Sequence, residues 1–212
     1  MSDDPALFEI MRTTRSMRRL KPDPIPQSLL DRVLEAGTWA ANGGNMQNWR
    51  FLVIREPAIK QAVAVYYRRA WHEIVGLRYR SGGPAPGTTP ERFSRMLAAA
   101  EYLAEHIAEA PVWIVPCMAA ATPTRTTGAS IYPAVQNMLL AARALGLGAT
   151  LTTLYLQFEK EAERAMGLPP DVHSYAILPL GYPIGHFGPV RRTALADVVY
   201  DDRWGQSYRA TQ

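Results

Sequence analysis

Residues 130–154, SIYPAVQNMLLAARALGLGATLTTL, decide how this chain folds. Up to Leu145 the apolar residues Ile131, Val135, Met138, Leu139, Ala142 and Leu145 fall on one helical stripe. Gly146 stops that helix. Residues 149–154 then read as a strand rich in β-branched side chains. The order helix, glycine turn, strand is the reverse of a pyrophosphate-binding turn, in which glycines follow a strand and open a helix. Gly146-Leu147-Gly148 is therefore no dinucleotide fingerprint, and a Rossmann sheet is excluded.

Upstream, residues 5–11 read as a helix behind Asp3 and Asp4, and KPDPIP at 21–26 is an extended, helix-refusing connector. A helix is expected over 27–39, with Leu30, Val33, Leu34 and Gly37 on one face, ending in a polar loop at 41–45. FLVI at 51–54 and VWIV at 112–115 read as short strands buried on both sides. Between them, Ile59, Val63, Tyr66, Ala70, Ile74 and Leu77 predict one long helix over 57–80. The breaker SGGPAPGTTP (81–90), expected to be a mobile loop, separates it from a helix marked by Phe93, Met96, Leu97, Ala100, Leu103 and Ile107. Residues 122–127 read as a turn, 159–166 as a short helix closed by Gly167, and 175–180 as a fourth strand.

From Gly181 the chain loses periodicity for about thirty residues, too many for an idle loop. Yet it carries Leu195, Val198, Val199, Tyr200, Trp204 and Tyr208, which implies that it lies along a surface, that of a partner subunit. The sum is a single α+β domain over 1–212, a small, mostly antiparallel sheet wrapped by helices, with 182–212 as an extended arm.

Composition narrows the function. With 48% hydrophobic and 20% charged residues in 212, the chain is an ordinary globular one. No apolar run reaches the ~18 residues of a membrane span, and the acidic start Met1-Ser2-Asp3-Asp4-Pro5 is no secretory signal, so a cytoplasmic protein is expected. A single cysteine, Cys117, excludes a disulfide framework, and His72, His106, His173 and His186 show no metal-ligand spacing, so no metal is expected. The net charge of +4 suits a nucleic-acid backbone, an anionic membrane or a small anionic ligand. The arginines do not lie along one helix face and no aromatic residues interleave with them, which argues against nucleic acid.

Three polar clusters sit at element ends. In Thr14-Arg15-Ser16-Met17-Arg18-Arg19, two guanidinium groups and a hydroxyl suit a phosphate, though a solvated basic turn has the same composition. In Asn42-Gly43-Gly44-Asn45-Met46-Gln47-Asn48-Trp49, amides that donate and accept suit the edge of a heterocycle, and glycines admit a flat ligand. Thr150-Leu151-Thr152-Thr153 offers backbone amides and small hydroxyls beneath an apolar ring.

With Arg15-Ser16-Met17-Arg18-Arg19, Asn45-Met46-Gln47-Asn48-Trp49, the run from Asn137 through Gly146-Leu147-Gly148, and Leu180-Gly181-Tyr182-Pro183 in this order, the chain resembles the FMN-dependent nitroreductase family over nearly its whole length. The resemblance implies a homodimer with two FMN molecules at the interface and a C-terminal arm that embraces the partner. By position, Arg15 and Ser16 would meet the FMN phosphate and Arg18 the ribityl chain or pyrimidine edge, with Arg191 and Arg192 closing on the phosphate. Asn42, Gly43, Asn45 and Gln47 would reach the flavin from the second subunit, and Leu151, Thr152 and Thr153 would lie against the ring near N5. It further implies NADH or NADPH as hydride donor, an electron-poor acceptor such as a quinone or nitroaromatic, and no catalytic side chain. A non-enzymatic flavin-binding protein, or another flavin reaction on the same fold (dehydrogenation, dehalogenation, flavin fragmentation), is the alternative. The chain departs from the family pattern at Thr14, Asn48 and Thr153, where many members carry arginine, proline and, in some, glutamate.

Overall fold

The computed structural model describes residues 6–84, 87–120 and 122–208. Its central strand is β2 (Val112–Ala119), VWIVPCMA, buried along all but its last residue. Alternate side chains enter opposite cores. Trp113, Val115 and Cys117 join Val63 and Tyr67 of α3 (Pro57–Ala70), Leu103 of α5 (Pro90–His106) and Ala162 of α7 (Glu159–Ala165). Val112 and Ile114 join Leu30 and Val33 of α2 (Gln27–Thr38) and Val135, Met138 and Ala142 of α6 (Arg125–Ala144). Helices cover both faces, which is why β2 is an unbroken apolar run although its sheet is antiparallel.

On one side β2 pairs with β1 (Trp49–Ile54); on the other it pairs with β4 (Val172–Ser174) and β5 (Leu178–Gly181), and β3 (Gly148–Ala149) closes the sheet beyond β5. Every one of these pairings is antiparallel, and the α+β architecture is the expected one. Of the expected strand over 175–180 only the part from Leu178 forms, as β5, and β4 is an additional strand just before it. Ser174 faces Cys117 and Leu178 faces Ile114, so the register slips by one residue opposite Val115 and Pro116. Tyr175 N–H reaches the Pro116 carbonyl at 2.9 Å, so Pro116 turns its nitrogen to that same side, where it has no hydrogen to donate. The ladder breaks there, and Ile177 turns away to exchange both its backbone bonds with Thr152. The expected strand at 149–154 is therefore only Gly148–Ala149 plus that single bridge, and Leu154–Phe158 coils into a 3₁₀ turn.

The expected helix over 57–80 is two. A π-turn at Trp71–Val75 inserts an extra residue before α4 (Gly76–Gly82). The buried face of α3 is Lys60, Val63, Ala64, Tyr67 and Ala70, with Trp71 following, rather than the stripe through Tyr66 and Leu77. Lys60 is tolerated there because its Nζ donates to the Ala110 carbonyl at 2.8 Å. The α6 helix begins before the expected residue 130: Thr124 and Thr127 cap its first turn reciprocally, so the anticipated turn at 122–127 is a helix start. Residues 85–86 of the expected loop, like Asp3, Asp4 and Pro5, lie outside the described residues. Among the described residues no helix is long and apolar enough to cross a membrane.

After α1 (Ala6–Thr13) the chain runs extended along the sheet edge. Met17 N–H donates to Ala149 O at 3.0 Å, Lys21 N–H to Tyr182 O at 2.8 Å, and Ile184 N–H to Arg19 O at 2.9 Å. This close approach requires Gly148, where a Cβ would stand 2.9 Å from Leu20, 3.0 Å from Met17 and 3.1 Å from Pro183. Gly148→Val is expected to push these three segments apart and cost roughly 1–3 kcal/mol, the range for overpacked sites. Denaturant unfolding checks this; an unchanged midpoint contradicts the packing.

Candidate functional site

The docked segment gathers the first and third clusters. Arg15 and Ser16 are exposed two residues before Met17, and Arg18 is half-buried just after it. None of the three makes a hydrogen bond or ion pair among the described residues. Burial pulls the Arg18 guanidinium below its usual pKa; the facing Tyr67 and Tyr79 oppose that pull, and Arg15 adds to it. A partly desolvated cation beside a second cation, with no carboxylate paired to it among the described residues, is chemistry that suits an anion.

Beneath it, Tyr67 and Thr152 are both buried, and their hydroxyls meet at 2.6 Å. Burial raises the Tyr67 phenol to about 12. Thr152 gives its N–H to Ile177 and accepts from Ile177, so any backbone donor this loop presents comes from Leu151 or Thr153. Leu151 is exposed and Thr153 half-buried, a lip rather than a core.

Arg191 and Arg192 arrive at the same edge. Val190 N–H donates to Arg12 O at 2.9 Å, and the two exposed arginines follow directly. Arg192 folds back on its own chain, Nη1 to Arg191 O at 3.0 Å. Arg143, absent from the sequence reading, adds a further cation: Nε donates to Thr13 Oγ1 at 3.0 Å and the guanidinium lies over Phe187 at 4.4 Å.

The second cluster is elsewhere. Gly43–Asn45 forms a 3₁₀ turn with φ of 59° at Gly44, 54° at Asn45 and 50° at Gln47. Positive φ is uncommon for glutamine, and it is sustained here by Gln47 N–H donating to Asn42 Oδ1 at 2.9 Å and Gly43 N–H to Ser130 Oγ at 3.2 Å. Asn42 thus spends its oxygen bracing the loop, while Asn45 and Gln47 are exposed. Below lies a cleft of about 220 Å³ bounded by Gly43, Met46, Trp49, Met118, Thr126 and Ser130.

The two regions are fastened to opposite ends of α6, one at Ser130 and the other at Arg143. Thirteen residues at 1.5 Å each separate them by about 20 Å. One chain does not bring them together.

Comparison with known proteins agrees with this architecture. The profile of the nitroreductase family matches residues 11–182. An NADH dehydrogenase of Thermus thermophilus is 31% identical over 199 residues, covering 87% of this chain and 90% of that protein. A 5,6-dimethylbenzimidazole synthase of Rhodobacter capsulatus is 27% identical over 188 residues, covering 84% of each chain. The crystal structure of oxidised iodotyrosine deiodinase bound to FMN and 3-iodo-L-tyrosine superimposes with a TM-score of 0.73 at 22% identity, covering 93% of this chain and all of that one. The fold is that of a flavoenzyme class, and this chain belongs to the nitroreductase family of oxidoreductases.

The missed residues have different causes. Tyr67 is hidden by the phase of α3, since Tyr66 takes its place in the apparent stripe, and Arg143 lies outside the three polar clusters, within the apolar α6. Tyr67→Phe removes the only side-chain partner of the Thr152 hydroxyl and is expected to cost about 1–3 kcal/mol. Because the phenol is held neutral, its contribution is complete below pH 10 and is lost as pH climbs from 10 through about 12. Urea unfolding at pH 8 and pH 11 reads both; a Tyr67→Phe variant as stable as the unaltered protein at pH 8 removes the role assigned to this bond.

Proposed function

We propose that the protein is a homodimeric FMN oxidoreductase that takes hydride from NADH or NADPH and reduces an electron-poor small molecule of the quinone or nitroaromatic kind. The observation that carries this reading is the unpaired Arg15–Arg18 pair, with Ser16 between them, at an edge where Arg191 and Arg192 also arrive. A ring-bearing phosphate satisfies what these groups lack: oxygens for the guanidinium forks, and a flat surface for the Leu151–Thr153 lip. FMN held by these groups would supply the two-electron hydride chemistry that the side chains themselves lack.

The chain's residues bind and orient. Arg15, Ser16, Arg191 and Arg192 hold the phosphate. Arg18, desolvated and cationic, faces the pyrimidine edge and favours negative charge there. Leu151 and Thr153 carry the backbone donors, and the Tyr67–Thr152 bond fixes their loop. No side chain is assigned as proton donor, since solvent can protonate the product.

The Asn45–Gln47 half comes from a second copy. The 20 Å set by α6 forbids it within one chain, and the free surface is unusually apolar. Leu7, Phe8 and Met11 of α1, Trp39 (72% exposed), Met46, and Leu195, Val198 and Trp204 (90% exposed) of the arm all face outward. A cytoplasmic setting without nucleic acid or membrane partners fits this reading. Relatives named as dimethylbenzimidazole synthase and iodotyrosine deiodinase carry other reactions in their names, so the acceptor is the finest part of the proposal.

Protein purified or reconstituted with FMN is expected to be yellow and to oxidise NADH or NADPH when menadione or a nitrofuran is added. A flavin that no pyridine nucleotide reduces sinks the enzymatic reading and leaves a flavin-binding protein. Arg15→Ala is expected to weaken FMN retention at least about tenfold, from the loss of one charge-assisted interaction. Mixing Arg15→Ala with an Asn45→Ala, Gln47→Ala double variant is expected to restore activity through heterodimers that contain one intact site. No recovery after subunit exchange refutes a site shared between chains.

A further inference from the structure

On the face of the sheet that α3 covers, Glu159 and Glu163 stand one helical turn apart on α7, and β4 brings His173 against them. One carboxylate oxygen of each glutamate and a ring nitrogen of the histidine lie within 4.8 Å of one another. The sequence reading found no metal-ligand spacing because one ligand is on a strand ten residues after the helical pair.

Two polar atoms here are unsatisfied. His173 Nδ1 is buried, and Glu163 Oε2, 3.4 Å away, is outside hydrogen-bonding geometry. The Tyr155 hydroxyl belongs to a fully buried side chain and makes no hydrogen bond of normal geometry among the described residues; the Ser174 hydroxyl is close to it, and both glutamates are near enough to raise its pKa further. Buried polar groups without partners are rare in native proteins and mark a missing ligand or ion. Glu163 itself is locked: its Oε1 accepts from Ser174 N–H at 2.6 Å and from Ser174 Oγ at 2.8 Å, which leaves Oε2 turned toward His173. Ligand atoms about 2.1 Å from a tetrahedral ion stand about 3.4 Å from one another, the separation of Nδ1 and Oε2. Side-chain exposures of 12% at Glu163 and 21% at His173 leave an entry for an ion and its water.

We propose that Glu159, Glu163 and His173 bind a divalent transition-metal ion, zinc by ligand type, with a water in the fourth position that accepts the Tyr155 hydroxyl. An imidazole with two carboxylates suits zinc and disfavours magnesium, which wants oxygen ligands and keeps its own waters. The ion clips α7 to β4, and its role is structural. Burial and the neighbouring Glu163 already hold the Glu159 carboxyl above its usual range, against His173 and Lys160, a penalty that a cation removes. The site stands independently of the flavin reading.

Chelator-stripped full-length protein titrated calorimetrically with zinc chloride is expected to bind one ion per chain, with magnesium chloride giving no comparable heat, and its melting temperature is expected to rise with zinc. Among the described residues Glu159→Gln and His173→Ala remove no side-chain hydrogen bond, and His173→Ala loses only the 3.4 Å contact with Glu163. Each is expected to weaken zinc more than about 100-fold, beyond the loss typical of an outer-shell partner, with the circular dichroism spectrum unchanged. Failure of the unaltered protein to bind zinc at millimolar concentration, or binding of equal strength in both variants, overturns the site.

Discussion

Arg18 is held partly out of water beside a second arginine, with phenols and no carboxylate for company. Leaving a buried charge unpaired costs several kcal/mol even after relaxation. The chain sustains it by fixing the segment that carries Arg18 through its backbone, at Ala149 and Tyr182, over glycines that leave no slack. Gly148 and Gly181 both meet Leu20 at van der Waals limits, so the segment cannot slide to let the arginine out. An anion is the natural counterpart of such a pair of cations.

The placement of that edge descends from Pro116. A proline in a central strand argues against extending the strand, so VWIV reads as stopping at Val115. Its nitrogen lies opposite the gap between β4 and β5, where nothing asks for a donor, and the strand continues to Ala119. The same gap releases Ile177 to bind Thr152 and so sets the Leu151–Thr153 lip. The architecture was legible because β2, α2 and α6 carry strong local periodicity. Its interruptions were not, because a bulge or a π-turn depends on what the neighbouring strand or helix offers. The Tyr66-for-Tyr67 exchange and the His173 pairing with Glu163 are failures of that same kind: both are settled across elements, not along them.

The α6 helix also acts as a ruler. Its capped start holds the Gly43–Gln47 turn through Ser130, and its last turn holds Thr13 through Arg143. Shortening it to join the two regions would strip Val135, Met138 and Ala142 from the core. The proposed second copy would solve the same problem without that loss, and Trp39, Phe8 and Trp204, which the single chain leaves exposed, are the apolar surface it would have to cover. Site completion and burial of the apolar surface thus favour the same assembly.

The π-turn at Trp71–Val75 carries the remaining logic. A π-turn is a weaker hydrogen-bonded arrangement than an α-helix and persists where something else rewards it. Here Gly76 makes it feasible, since a Cβ there would lie 2.5 Å from the Trp71 carbonyl. The extra residue rotates α4 relative to α3, so that Trp71 stays in the core while the Tyr79 ring lies tilted against it at 6.4 Å, near enough to Arg18 to act on its charge. One inserted residue therefore changes what stands beside the half-buried guanidinium while leaving the sheet, the docked segment and α6 untouched. A frame in which the cations are fixed by backbone and their cover is set by a single helical insertion can change its reaction without changing its fold.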